Sequence, residues 1–256
     1  MKIFANIIPA IKLYFSLKYL NLFKRQILRS RECGDLESEK KAILGATSTW
    51  GKNVLRIFDV KLTVNGRENL PKEGPVVYVA NHQGYGDIPT CCAVLDSIQF
   101  AFVAKQDLRR VPLYGRWILR IRSVLMNRED PRAALRTIEE GIGLIRQGFS
   151  LLIFPEGTRS KGGPVKEFKK GSLRLATKPG VPIVPITIDG TYRIFEGNES
   201  AVKKGAEVTI TIHPPIPTKD LDKHEQAVLT ERVQEIVESA LPPEYRHSAA
   251  SADSDK

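Results

Sequence analysis

Apolar positions divide the chain into two regimes. Up to Ile57 they recur at helical spacing, with Leu13, Leu17, Leu20, Phe23 and Ile27 on one stripe and Ile43, Ala46, Trp50, Val54 and Ile57 on a second. Gly34 stands between the stripes, and Asp35 can cap the second helix, with Glu37 and Glu39 in its first turn. The pattern predicts a hairpin of two amphipathic helices over 1–58. Beyond Asp59 the apolar residues gather into short strand-like runs at 61–66, 76–80, 100–104, 124–127, 151–154, 183–188 and 208–213. Between them lie helical patterns at 87–95, 113–121, 132–147, 167–177 and 220–241. The clearest helix runs from Asp130-Pro131 to Gly148 and is expected to bury Leu135, Ile138, Ile142 and Ile145. Such alternation predicts an α/β domain over 59–246, a mixed but largely parallel central sheet flanked by helices. The Ser/Ala/Asp-rich tail, 247–256, is expected to be disordered.

Charge changes the picture at the amino end. The whole chain carries a formal +10, and residues 1–31 contain seven Lys and Arg but no acid. Lys18, Arg25 and Arg29 fall outside the Leu13, Leu17, Leu20, Phe23 stripe. A basic amphipathic helix of this kind is expected to lie in a membrane interface, stripe in lipid and cations on anionic headgroups. No run of eighteen apolar residues is present, so no spanning helix is expected. Three cysteines (Cys33, Cys91, Cys92) make no disulfide framework and point to a reducing compartment.

The candidate chemistry sits at strand ends. The run Val76 to Ala80 stops at Asn81-His82, and Gly84, Gly86, Asp87 and Pro89 follow. An imidazole there can be held by Asp87, which accepts from Nδ1 while Nε2 takes a proton. No obvious serine nucleophile accompanies the pair, and such a pair can deprotonate a hydroxyl belonging to the substrate instead; the alternative is a histidine and an aspartate tying down a turn. Three other predicted strands end in cations: Lys105 after FAFVA, Arg128 after VLMN, and Arg159 in FPEGTRS. Ligands in open α/β sheets collect at these carboxyl ends. Arg159 offers a planar fork for phosphate, and Gly157 permits close backbone approach. No metal-ligand spacing appears, nor a GxxxxGK[ST] loop or GxSxG elbow.

NHQGYGD, the strand-end Arg128, FPEGTRS and VPIVPI (181–186) resemble, in order, the four sequence blocks of the glycerolipid acyltransferases, and within them the 1-acyl-sn-glycerol-3-phosphate acyltransferase group. The resemblance spans about 76–188. It implies the glycerol-3-phosphate acyltransferase-like fold and transfer of an acyl chain from a thioester to the sn-2 hydroxyl of lysophosphatidic acid. His82 is then the base and Asp87 its orienting partner. Arg128, Glu156, Gly157 and Arg159, with Lys105, are implied in binding the acceptor's glycerol phosphate, and the fourth block in the acyl-donor side or packing. The donor is acyl-coenzyme A or acyl-acyl carrier protein, no cofactor is implied, and the partners are these substrates and the cytoplasmic face of the cell membrane. Ser123 and Asn127 depart from the usual second block, which leaves the contacts of Arg128 open. Another lysolipid acceptor fits the same blocks. Two other readings are a thioesterase using Cys91 or Cys92 and a basic nucleic-acid binder, for which no binding module is recognisable.

Overall fold

A computed structural model describes residues 2–198 and 201–247, with side chains from Asn6 onward; apart from His247, the expected tail lies outside the described residues. Seven strands form one sheet: β1 (Lys61–Asn65), β2 (Val77–Ala80), β3 (Phe100–Lys105), β4 (Val124–Met126), β5 (Ser150–Ile153), β6 (Ile183–Asp189) and β7 (Glu207–Ile212), in the order β1-β7-β6-β2-β5-β3-β4. Among these seven strands only β6 and β7 pair antiparallel. The central strands β2 and β5 are buried at every position, as expected of a parallel sheet covered on both faces, whereas β1 and β7 near the edge alternate.

The helices over and around the sheet are α4 (Asp87–Val94), α5 (Tyr114–Arg120), α6 (Pro131–Arg146), α7 (Arg174–Thr177) and α8 (Lys223–Ser239). Asp130 caps α6 by accepting from the Arg132 and Ala133 amides, and Asp222 starts α8 with a capping box closed by Glu225. The buried face of α6 is centred on Thr137, Ile138, Gly141 and Ile145, which leaves Leu135 exposed at its rim, contrary to expectation. The helix expected over 167–177 is also cut short. The Phe168 amide donates to Gln234 Oε1 and the Lys169 amide to Pro155 O, so these residues stay extended, and helix begins only at a 3₁₀ turn, Lys170–Leu173.

The amino-terminal hairpin is present, with its first arm divided at Leu20 into α1 (Lys2–Tyr19) and α2 (Asn21–Glu32); the second arm is α3 (Leu36–Ile57). Gly34 takes φ +72° at the bend, and Asp35 caps α3 by accepting from the Ser38 amide. None of the described helices is long and apolar enough to cross a membrane. Leu20 and Ile27 are buried, and Leu13, Leu17 and Phe23 pack on the same core, Phe23 over Gly45 of α3. The stripe expected to enter lipid is therefore the inward face. Apolar residues of the opposite face, Ile7, Ile8, Ile11, Tyr14, Phe15, Tyr19 and Leu22, are the exposed ones. Both faces of the arm formed by α1 and α2 are apolar, and the stripe at helical spacing is the one that packs. The aromatic residues Tyr14, Phe15 and Tyr19, also expected at an interface, are exposed.

Two contacts tie this layer to the body. Glu39, fully buried, accepts from both Arg31 and Arg122, joining α2 and α3 to the turn after α5. At Gly51, α3 approaches α4 so closely that a Cβ would stand 2.5 Å from the Ala93 nitrogen and 2.6 Å from the Pro89 oxygen.

Candidate active site

The parallel strands β2 to β6 deliver their carboxyl ends to one edge of the sheet, and the chemistry gathers there. Asn81 extends β2 by exchanging two side-chain bonds with the Ile188 backbone, at 2.8 Å each, and Gln83 accepts from the Gly190 amide at 2.8 Å. Both neighbours of His82 are thus spent on the end of β6. The His82 and Gln83 carbonyls accept from the Ser160 and Lys161 amides, which draws the FPEGTRS loop alongside. His82 lies nearly flat on Phe154, with ring centroids 4.2 Å apart and planes inclined by 16°.

Asp87, at the first position of α4, has no solvent exposure. Its Oδ2 lies 2.5 Å from His82 Nδ1 and also accepts from the Gln83 and Gly84 amides at 2.8 and 3.0 Å. Its Oδ1 accepts from the buried Thr191 hydroxyl. With two amide donors already on the carboxylate, the Nδ1–H tautomer completes the set, and Nε2 keeps its lone pair with no partner among the described residues. This arrangement can draw a proton from a hydroxyl presented to Nε2.

Glu156 is placed under the base and not in the cleft. It is buried, its Oε1 accepts from the His82 amide at 2.6 Å and its Oε2 from the Lys166 amide at 3.0 Å. Burial pushes its carboxyl up to about 8, against the pull of those two amides. With both oxygens used internally, its expected contact with an acceptor gives way to a bracing role. Arg128, half-buried, donates to the Gly157 carbonyl. Gly157 itself takes φ +71°, and its bare α-carbon faces the Lys169 ammonium, which a Cβ would approach to 3.1 Å. Lys105 is exposed and pairs with Asp107 at 2.7 Å; Arg128 and Glu129 are near enough to act on it electrostatically.

Arg159 lies face-on to exposed Tyr85, its guanidinium carbon 3.7 Å from the ring centroid, and pairs with Glu196 at 2.7 Å. The same Glu196 oxygen accepts from the Tyr85 amide at 2.8 Å, while its other oxygen is buried without a partner. Sequence reasoning missed Thr191 and Glu196. The only available signal was the polar run DGTYRIFEG directly after the β6 apolar block, at the strand end where ligands collect. Cys91 and Cys92 are sealed inside α4, and burial pushes both thiols up, so neither can serve as the nucleophile of a thioesterase.

A family model described as Acyltransferase matches residues 61–189, which include His82, Asp87, Lys105, Arg128, Glu156 and Arg159 but stop short of Thr191 and Glu196. The chain belongs to the acyltransferase family. Among its relatives is the 1-acyl-sn-glycerol-3-phosphate acyltransferase of Chlamydomonas reinhardtii, 39% identical over 74% of this chain and 55% of that one. The 1-acyl-sn-glycerol-3-phosphate acyltransferase of Borreliella burgdorferi is 33% identical over 73% of this chain and 74% of its own length. The crystal structure of the 1-acyl-sn-glycerophosphate (LPA) acyltransferase of Thermotoga maritima aligns with a TM-score of 0.75 at 33% identity, covering 93% of this chain and 95% of the other. This acyltransferase chain spans about half the length of the algal and plant relatives.

Proposed function

We propose that the protein transfers an acyl group from a thioester, acyl-coenzyme A or acyl-acyl carrier protein, to the 2-hydroxyl of 1-acyl-sn-glycerol 3-phosphate, giving phosphatidic acid. The observation that carries this is the His82–Asp87 pair with a free Nε2, set beside the strand-end arginines. In the reaction Nε2 takes the hydroxyl proton as the oxygen attacks the thioester carbonyl. The tetrahedral intermediate collapses with loss of thiolate, and the imidazolium returns its proton to that sulfur. A thioester is already activated, so a positioned base suffices, at about 10²–10⁴-fold, and no cofactor is called for. Asp87 holds the ring and carries the charge opposite the imidazolium. Arg159 and Arg128, with Lys105 at the rim, are assigned to the acceptor phosphate.

The acceptor and product are lipids, and the exposed face of α1 and α2 suits a membrane surface. Ile8, Phe15 and Leu22 are 62%, 60% and 70% exposed, with Lys18, Arg25 and Arg29 exposed on the same two helices. The protein is therefore assigned a peripheral seat on the cytoplasmic face of the membrane. The test is acyl transfer by purified protein to lysophosphatidic acid and to phosphate-free monoacylglycerol in vesicles, with each donor in turn. Transfer should be abolished in His82→Ala, and Arg159→Ala should raise KM only for the phosphorylated acceptor. Equal use of both acceptors by wild type would overturn the assignment.

A further inference from the structure

Outside the cleft, residues 108–128 carry six arginines and no acid. Two have evident duties, since Arg122 pairs with Glu39 and Arg128 belongs to the cleft. Arg109, Arg110, Arg116 and Arg120 have no ion pair among the described residues, and the nearby Asp107 is engaged by Lys105. The short helix α5 buries Gly115, Trp117 and Ile118 and turns Arg116 and Leu119 out, with Arg120 half-buried beside them. Arg109, Arg110 and Val111 are exposed just before it. Arg120 feels two of its neighbours: partial burial, then Arg116 and Arg31, hold its guanidinium below its ordinary range. Asp107 acts electrostatically on Arg110 but is already paired with Lys105, so positive charge is in excess here; such an excess raises the energy of the fold, and an external anion relieves it.

Resting on the membrane seat proposed above, we propose that this arginine shelf is a second, electrostatic contact with the bilayer, binding the phosphates of anionic phospholipids. Three features favour a lipid surface. The shelf mixes cations with exposed aliphatic groups, Val111 and Leu119. It is joined to the basic helix α2, because Arg31 Nη2 donates to the Arg120 carbonyl at 2.6 Å. It also adjoins the cleft, since the turn Gln106–Arg110 follows Lys105 directly. Headgroups held there lie next to the cations assigned to the acceptor.

The experiment measures co-sedimentation of the full chain with vesicles of phosphatidylcholine alone and of phosphatidylcholine mixed with phosphatidylglycerol. It compares wild type, Arg116→Gln/Arg120→Gln, and a control of equal charge loss at the amino end of β6, Lys178→Gln/Lys219→Gln. At about fivefold per basic residue, the arginine pair should lose roughly 25-fold in partition onto the mixed vesicles. It should change little on neutral ones, and transfer to a short-chain soluble acceptor should persist. A loss no greater than the control's, or an equal loss on neutral vesicles, overturns the shelf. So does an unchanged partition accompanied by weaker binding of acyl carrier protein, which would make the surface a docking site for an acidic protein. Failure of wild type to bind either vesicle overturns the membrane seat itself. If the α5 variant does not fold, Arg109→Gln/Arg110→Gln, on the turn outside the helix, puts the same question.

Discussion

Replacing Asp87 by Asn separates what this carboxylate does by position from what it does by charge. The side chain can turn so that its remaining oxygen takes the place of Oδ2, accepting from His82 Nδ1 and from the Gln83 and Gly84 amides. The new amide then faces the Thr191 hydroxyl, which can rotate to accept. Tautomer and ring position are kept, and only the negative charge opposite the forming imidazolium is lost. With charge centres about 4 Å apart and an effective dielectric near 20, that charge contributes roughly 4 kcal/mol. The corresponding fall in kcat is about 10³-fold. The assay is thiol release from an acyl thioester at saturating lysophosphatidic acid, with near-ultraviolet circular dichroism to check the fold. A loss below about fivefold in a folded variant would refute the electrostatic role. A loss equal to that of His82→Ala would show that orientation has also failed.

Glu156 makes stability depend on pH in the opposite sense to an ion-paired acid. Its folded value, about 8, lies above the 4.5 of the free side chain, so the folded state binds the extra proton between these limits. Stability should therefore fall as pH rises from about 4.5 to 8, by at most roughly 1.4 kcal/mol per unit. Denaturant melts across this range should show a flatter profile for Glu156→Gln; parallel profiles would refute the burial argument. At the cations assigned above to the acceptor phosphate, Glu196→Gln removes the charge that now occupies Arg159, while Tyr85 still holds the guanidinium plane. The KM for lysophosphatidic acid should fall several-fold, and a rise would show that Glu196 positions Arg159 instead of competing for it.

The parts legible in the sequence were those carried by near neighbours. Val77 to Ala80 reads as a buried strand because both faces of the sheet are covered, and His82 and Asp87 read as a pair because one turn joins them. Thr191 reaches the same carboxylate from 104 residues away, and Glu196 reaches Tyr85 from 111 away. Nothing local announces such partners. Glu156 belonged visibly to a functional block, yet its use as a brace depends on the His82 and Lys166 amides, which only the fold brings together. On α1 the difficulty was of another kind. Two apolar stripes share the arm formed by α1 and α2, and the one that packs does so on α3, whose bare Gly45 lies under Phe23 of α2.

The approach at Gly51 has a mechanical consequence. The helix that seats the amino-terminal arm meets, backbone to backbone, the helix whose first residue steadies the imidazole. No side chain cushions that joint, so the base has a set elevation above whatever surface α1 rests upon. If α1 rests on a bilayer as proposed, an acceptor hydroxyl has to be presented to His82 at that fixed level.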